Sequence, residues 1–150
     1  MKICICSSMA FYEKYMGLKS ELEERGHTVV APQLEFMDKG SADTSNSAFF
    51  EKHGGISAFP PEHEFWKKKG DAISAHFRKI DDCDAILVTN YEKRGVQNYI
   101  GGNTFLEIGY AFGRGKKIFI LNNLPSTSAY IEEILGMQPM VLHGDTTQIL

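Results

Sequence analysis

Short apolar runs alternate with amphipathic stretches along this chain. Residues 2–6 form a strand-type apolar run, and residues 11–25 carry Tyr15, Leu18 and Leu22 at helical spacing before Gly26 ends the pattern. Residues 27–31 are β-branched and close on Pro32, which predicts a second strand and completes a β-α-β unit. A further helix is predicted over 62–82, where Trp66, Ile73, Phe77 and Ile80 share a stripe and Lys67, Lys68 and Lys69 take the solvated side. Residues 85–88 and 118–121 are apolar on both faces, as central parallel strands covered by helices must be. Helices are expected over 103–114 and 128–135, and 139–142 suits an edge strand, where proline is tolerated. The alternation predicts one α/β domain over 1–150, a flavodoxin-like, doubly wound, parallel five-stranded sheet with helices on both faces.

Between residues 32 and 61 the periodicity fails. The polar run 41–47, Gly54-Gly55 and Pro60-Pro61 read as a long loop, and Phe36, Phe49, Phe50 and Phe59 predict that it packs as a lid with short helical turns.

Composition narrows the function classes. With 150 residues, 43% of them hydrophobic, the chain has one ordinary core and no room for a second domain. Sixteen Lys and Arg against nineteen Asp and Glu give a net charge of -3, which supplies no field for a nucleic-acid polymer. The apolar start is too short for a signal peptide or a membrane span, so no membrane partner is expected and the cytoplasm is the expected compartment. The three cysteines are an odd number, and Cys4 and Cys6, two apart, are read as facing opposite sides of their strand, so no disulfide framework is expected. The histidines lack i, i+4 pairing and the cysteines lack Cys-x-x-Cys spacing, so no metal site is expected. Ser7-Ser8-Met9-Ala10-Phe11 has too few glycines and hydroxyls for a flavin phosphate loop, and with no Walker loop present no cofactor is expected.

A ligand site in such a sheet is expected at the carboxyl ends of its central strands. Those ends, Cys6-Ser7-Ser8, Thr89-Asn90-Tyr91 and Leu121-Asn122-Asn123, all turn polar abruptly. Gly101-Gly102 allows close backbone approach to a ligand, and Asn103 or Thr104 is a natural N-cap that leaves free N–H groups facing the cleft. Helical spacing puts Asn103, Glu107 and Tyr110 on one face and sends Phe105, Ile108 and Phe112 to the core. Glu107 thus offers a carboxylate near the strand ends, or it merely favours the helix terminus or pairs with Arg114.

The string Gly-Gly-Asn-Thr-Phe-Leu-Glu-Ile-Gly-Tyr-Ala at 101–111, followed by Gly115-Lys116-Lys117, resembles the nucleoside 2-deoxyribosyltransferase superfamily, in which a glutamate opens a helix as Glu-Leu-Gly or Glu-Ile-Gly. Cys6-Ser7-Ser8 is similar to the Cys-Gly-Ser turn of the related deoxynucleoside-monophosphate N-glycosidases. The resemblance implies a flavodoxin-like fold and a nucleoside or deoxynucleoside 5′-monophosphate substrate. It also implies that Glu107 attacks C1′ to give a glycosyl-enzyme that a second base or water resolves. On this reading His76 donates the proton to the leaving base, or is structural. Asn90, Tyr91 and Asn98 bond sugar hydroxyls or a base edge, or are ordinary loop polarity. Ser7 and Ser8 hold the 5′-phosphate or start a helix. The chain departs from the pattern where the transferases carry two aspartates, here Gly101 and His76, and where they carry a first-strand tyrosine, here Cys4. A non-catalytic nucleotide-binding protein that keeps the pocket is the competing reading. The resemblance further implies a homo-oligomer whose neighbour helps close the pocket. Tyr130, Ile131 and Ile134 beside Met137 and Met140 supply the apolar surface for it, or pack inward on the last strand.

Overall fold

A computed structural model describes residues 1–32 and 50–150. The elements run β1 (Lys2–Ser7), α1 (Tyr12–Glu24), β2 (Thr28–Val30), α2 (Glu64–Asp81), β3 (Ala85–Thr89), α3 (Gly102–Gly113), β4 (Lys117–Ile120), α4 (Ile131–Gly136) and β5 (Met140–Val141). The strands form one five-stranded sheet in the order β2-β1-β3-β4-β5, every pair parallel. This is the doubly wound, flavodoxin-like order that the alternation predicts. Of the predicted lid, residues 33–49 with Phe36, Phe49 and the polar run lie outside the described residues.

Strand alternation splits the core in two. Ile3 and Ile5 of β1, Ala85 and Leu87 of β3 and Phe119 of β4 pack against Tyr15, Leu18 and Leu22 of α1. Cys4, Cys6, Ile86, Val88, Ile118 and Ile120 point to the other face, where Ile80 of α2, Ile108 and Ala111 of α3 and Ile134 of α4 cover them. The expectation that Cys4 and Cys6 face opposite sides is therefore wrong. Side chains two apart on a strand share a face, and both thiols lie buried and free beneath α2 and α3.

Helices α2 and α3 meet side by side over that second face. Tyr110 stacks on Phe77 at 4.1 Å and donates its hydroxyl to Asp81 Oδ2 at 2.8 Å, while Arg114 pairs with Asp81 at 2.7 Å. Arg114 is thus engaged by Asp81, not by Glu107. Phe112, expected in the core, is 54% exposed. It falls on the flank of the sheet-facing stripe opposite Tyr110, so α2 does not cover it. The last helix is shorter than the predicted 128–135, because Ser128 Oγ accepts from Tyr130 N in a turn that precedes it.

The described end of the long loop is pinned at the start of α2. Phe50 packs against Phe59, Phe65 and Trp66, and the Trp66 indole donates to the Phe59 and Pro60 carbonyls at 3.0 and 2.9 Å. These rings fill a satellite cluster of their own.

Candidate functional site

The site is built from the two faces of one helix pair and the strand beneath them. Glu107, one turn and a half into α3, lies over β1 with its side chain only 14% exposed. Its Oε1 stands 3.7 Å from His76 Nε2 of α2, and its Oε2 is buried with no hydrogen-bond partner. His76 Nε2 is in turn 3.7 Å from both Cys4 Sγ and Cys6 Sγ. The two residues singled out from sequence as catalytic candidates, Glu107 and His76, are therefore neighbours, although they are 31 positions apart and on different helices.

Burial sets the charge state. It pushes the Glu107 carboxyl up to about 8, against a smaller lowering by its hydrogen bond with Cys6. It pulls His76 down to about 4, with nearby Lys79 adding to the effect. At neutral pH the acid is mostly protonated and the imidazole neutral, so their 3.7 Å contact is between uncharged groups and is too long for a strong hydrogen bond. Burial also raises the Cys6 thiol to about 11, and the Cys4 thiol is raised further, chiefly by its hydrogen bond with Cys6.

The strand ends hold a second group. Parallel register sets Ser7 beside Thr89, whose hydroxyl donates to Ser7 Oγ at 2.6 Å, and Ser7 itself donates to the Ser8 carbonyl. Ser8 precedes a three-residue 3-10 turn, Met9–Phe11, but its side chain makes no cap bond; its hydroxyl accepts from Lys93 Nζ at 3.2 Å. That lysine also lies 5.0 Å over the Tyr99 ring. Sequence reasoning passed over Lys93, though its place in the polar turn just after Thr89 marked it as a cation at the sheet's carboxyl edge.

Other expected ligand contacts are engaged by the protein. Asn90 is wholly buried, donating to the Asn123 carbonyl at 2.8 Å and accepting from Asn122 N at 2.9 Å, so its amide joins the ends of β3 and β4. Tyr91 packs edge-on against Phe11, with Lys14 Nζ over its ring. Asn98 occupies a left-handed backbone position at φ 54°, which asparagine tolerates better than most residues. A methyl group on Gly101 would meet the Tyr99 hydroxyl at 2.9 Å, so this glycine makes room for that ring, whereas nothing stands within 4 Å of Gly102. Gly101, not Asn103 or Thr104, is the N-cap of α3, and no side chain caps it. Thr104 is buried in the first turn, and Asn103 Oδ1 accepts from Lys69 Nζ at 3.4 Å.

A cleft of about 160 Å³ opens between the loops that follow β3 and β4, lined by Val96, Tyr99, Ile100, Pro125, Ser128 and Tyr130 among others. Glu107 is not among its lining residues, but Ile100 belongs to the same packed cluster as Cys4 and Cys6. Among the described residues, no helix is long and apolar enough to cross a membrane.

No protein-family model matches the chain, and no curated protein does. Solved structures similar to it include the following two. One is a 2-deoxyribosyltransferase from Bacillus psychrosaccharolyticus, 15% identical over 80% of this chain and 71% of that one, with a TM-score of 0.48. The other is the CMP N-glycosidase BcmB of Clostridium botulinum, 20% identical over 94% of this chain and 85% of that one, with a TM-score of 0.49.

Proposed function

We propose that this chain cleaves or transfers the N-glycosidic bond of a nucleoside or deoxynucleoside 5′-monophosphate, with Glu107 as the nucleophile. The observation that carries the reading is the buried, unpartnered Oε2 of Glu107 beside His76, on the helix that bears the Glu-Ile-Gly motif. A buried polar atom without a partner costs stability, of the order of 1–3 kcal/mol, and a fold keeps such an atom where something else needs it. Once ionised, the carboxylate stabilises an oxocarbenium-like transition state and then bonds C1′; the leaving base departs protonated. His76, 3.7 Å from Glu107, is the group placed to pass a proton from solvent to the leaving base.

In this reading Ser7, Ser8 and Lys93 form the 5′-phosphate subsite, with the Ser7 hydroxyl positioned by Thr89 and the lysine supplying the charge. The test is a panel of deoxynucleosides and their monophosphates incubated with pure protein, with free base followed by chromatography. Lys93→Ala should weaken monophosphates at least about tenfold more than free nucleosides, since a hydrogen bond to a charged group contributes roughly 1.5–3 kcal/mol. Equal weakening of both ligand classes removes the phosphate subsite. A second reading is a nucleotide-binding protein without turnover, favoured by the proton that Glu107 carries at neutral pH. Saturable binding without base release on the panel would establish it.

The proposal includes a homo-oligomer. Tyr130 is 40% and Met140 52% exposed at one end of the sheet, but Ile134 is fully buried, so part of the expected surface is core. Tyr130 stacks on Phe105 at 4.5 Å and lines the cleft, which places it where a second copy would extend the wall. Light scattering at micromolar concentration should give at least a dimer; a monomeric mass with full activity overturns it.

A further inference from the structure

Three soft or borderline ligand atoms converge beneath α2 and α3. Cys4 Sγ, Cys6 Sγ and His76 Nε2 all lie within 4.8 Å of one another, and each sulfur is 3.7 Å from the imidazole nitrogen. In a tetrahedral zinc site with bonds of about 2.3 Å to sulfur and 2.0–2.1 Å to nitrogen, neighbouring ligand atoms stand about 3.5–3.8 Å apart. The sulfur-to-nitrogen edges already have that length. Glu107 Oε1 is 3.7 Å from the same nitrogen but stands outside this set of three.

We propose that Cys4, Cys6 and His76 bind one zinc-class ion, whose fourth position is filled by water or an exogenous ligand. Two adjacent thiols select a soft or borderline transition metal over magnesium or calcium, which take oxygen ligands. The charge count suits burial. A divalent ion and two thiolates sum to zero, so loading buries no net charge. The thiols are protonated before binding, so capture of the ion replaces two S–H bonds with two metal–sulfur bonds and releases both protons to solvent. Spacing within one element conceals this set, because it joins alternate residues of a strand to a histidine 70 positions away. Under the function proposed above, the ion and the proton-carrying role compete for the His76 imidazole, so the loaded and free chains are alternative states.

The test uses the reduced chain without substrate, which separates it from the glycosidic reading. Titration with Co²⁺ should saturate at one equivalent. It should give thiolate-to-cobalt charge-transfer absorption and the intense visible bands of a tetrahedral ion, with at least two protons released per ion in weak buffer. Zn²⁺ should bleach the spectrum. Cys6→Ser should abolish the charge-transfer band or halve it, and His76→Gln should weaken binding at least tenfold. Absence of a stoichiometric cobalt spectrum in the folded parent overturns the site, whatever the variants do. Retained parental binding in both Cys6→Ser and His76→Gln overturns it equally.

Discussion

Glu107→Gln is expected to lower turnover by roughly a thousandfold or more while the chain stays folded. The amide matches the carboxyl in size and is isosteric with the protonated acid that burial favours at neutral pH, so packing against Cys6 and His76 is preserved. What it cannot do is ionise. A mechanism that bonds C1′ to a carboxylate loses both the charge that stabilises the transition state and the atom that forms the ester. Free-base release from the best substrate of the panel measures the loss, and circular dichroism checks the fold. Parental turnover in the variant would sink Glu107 as nucleophile. His76→Asn is expected to do less, about ten- to a hundredfold, since it removes a proton carrier and leaves the attacking group in place.

The pH dependence of that turnover separates two roles for the same residue. As a nucleophile Glu107 must be ionised, so kcat/KM should rise with pH through about 8 and level off above it. As a general acid it must be protonated, and the profile would fall over the same interval. A falling limb near that pH therefore reassigns Glu107 from nucleophile to acid.

The sheet was legible because its strands announce themselves by composition. Residues 85–88 and 118–121 are apolar on both faces, which only a covered parallel strand requires, and the observed β3 and β4 differ from them by one residue. Helix α3 and Glu107 were legible through the Gly-Gly and Glu-Ile-Gly strings and the helical spacing. The pairing of Glu107 with His76 was not. It depends on how α2 and α3 lie across the sheet, and no spacing within either helix encodes that contact. The thiol cluster was hidden for a different reason. Cys4 and Cys6 carry its signal in strand alternation, and a misassigned face conceals it; read with period two, they would have stood out as a pair on one buried face. Asn90 shows the opposite failure. Its position at a strand end suggests a ligand contact, but the ladder between β3 and β4 continues past the strands through its amide.

The same buried pair predicts an unusual stability profile. Glu107 moves from an ordinary value of 4.5 up to about 8, so the folded chain prefers its protonated form. Its contribution is complete below pH 4.5 and is lost as pH rises through 8, a difference of roughly 5 kcal/mol at 1.36 kcal/mol per unit. His76 moves the other way, from 6.5 down to about 4, so the folded chain prefers it neutral. Its contribution, roughly 3 kcal/mol, is present above pH 6.5 and lost as pH falls through 4. Between pH 4.5 and 6.5 the two slopes oppose each other and nearly cancel, leaving a plateau. From 6.5 to 8 only the glutamate acts, and stability should fall by about 2 kcal/mol because the folded chain still holds a proton that the unfolded chain has released. Glu107→Gln removes the glutamate's slope and keeps that of His76, so the variant should gain on the parent from about pH 4.5 to about 8 and be the more stable chain at pH 8.5. Urea denaturation of both chains at pH 5.5, 7 and 8.5 measures it. Parallel curves for parent and variant across that range would mean that Glu107 ionises in the folded chain as freely as in water, and the orphaned oxygen would then have solvent as its partner.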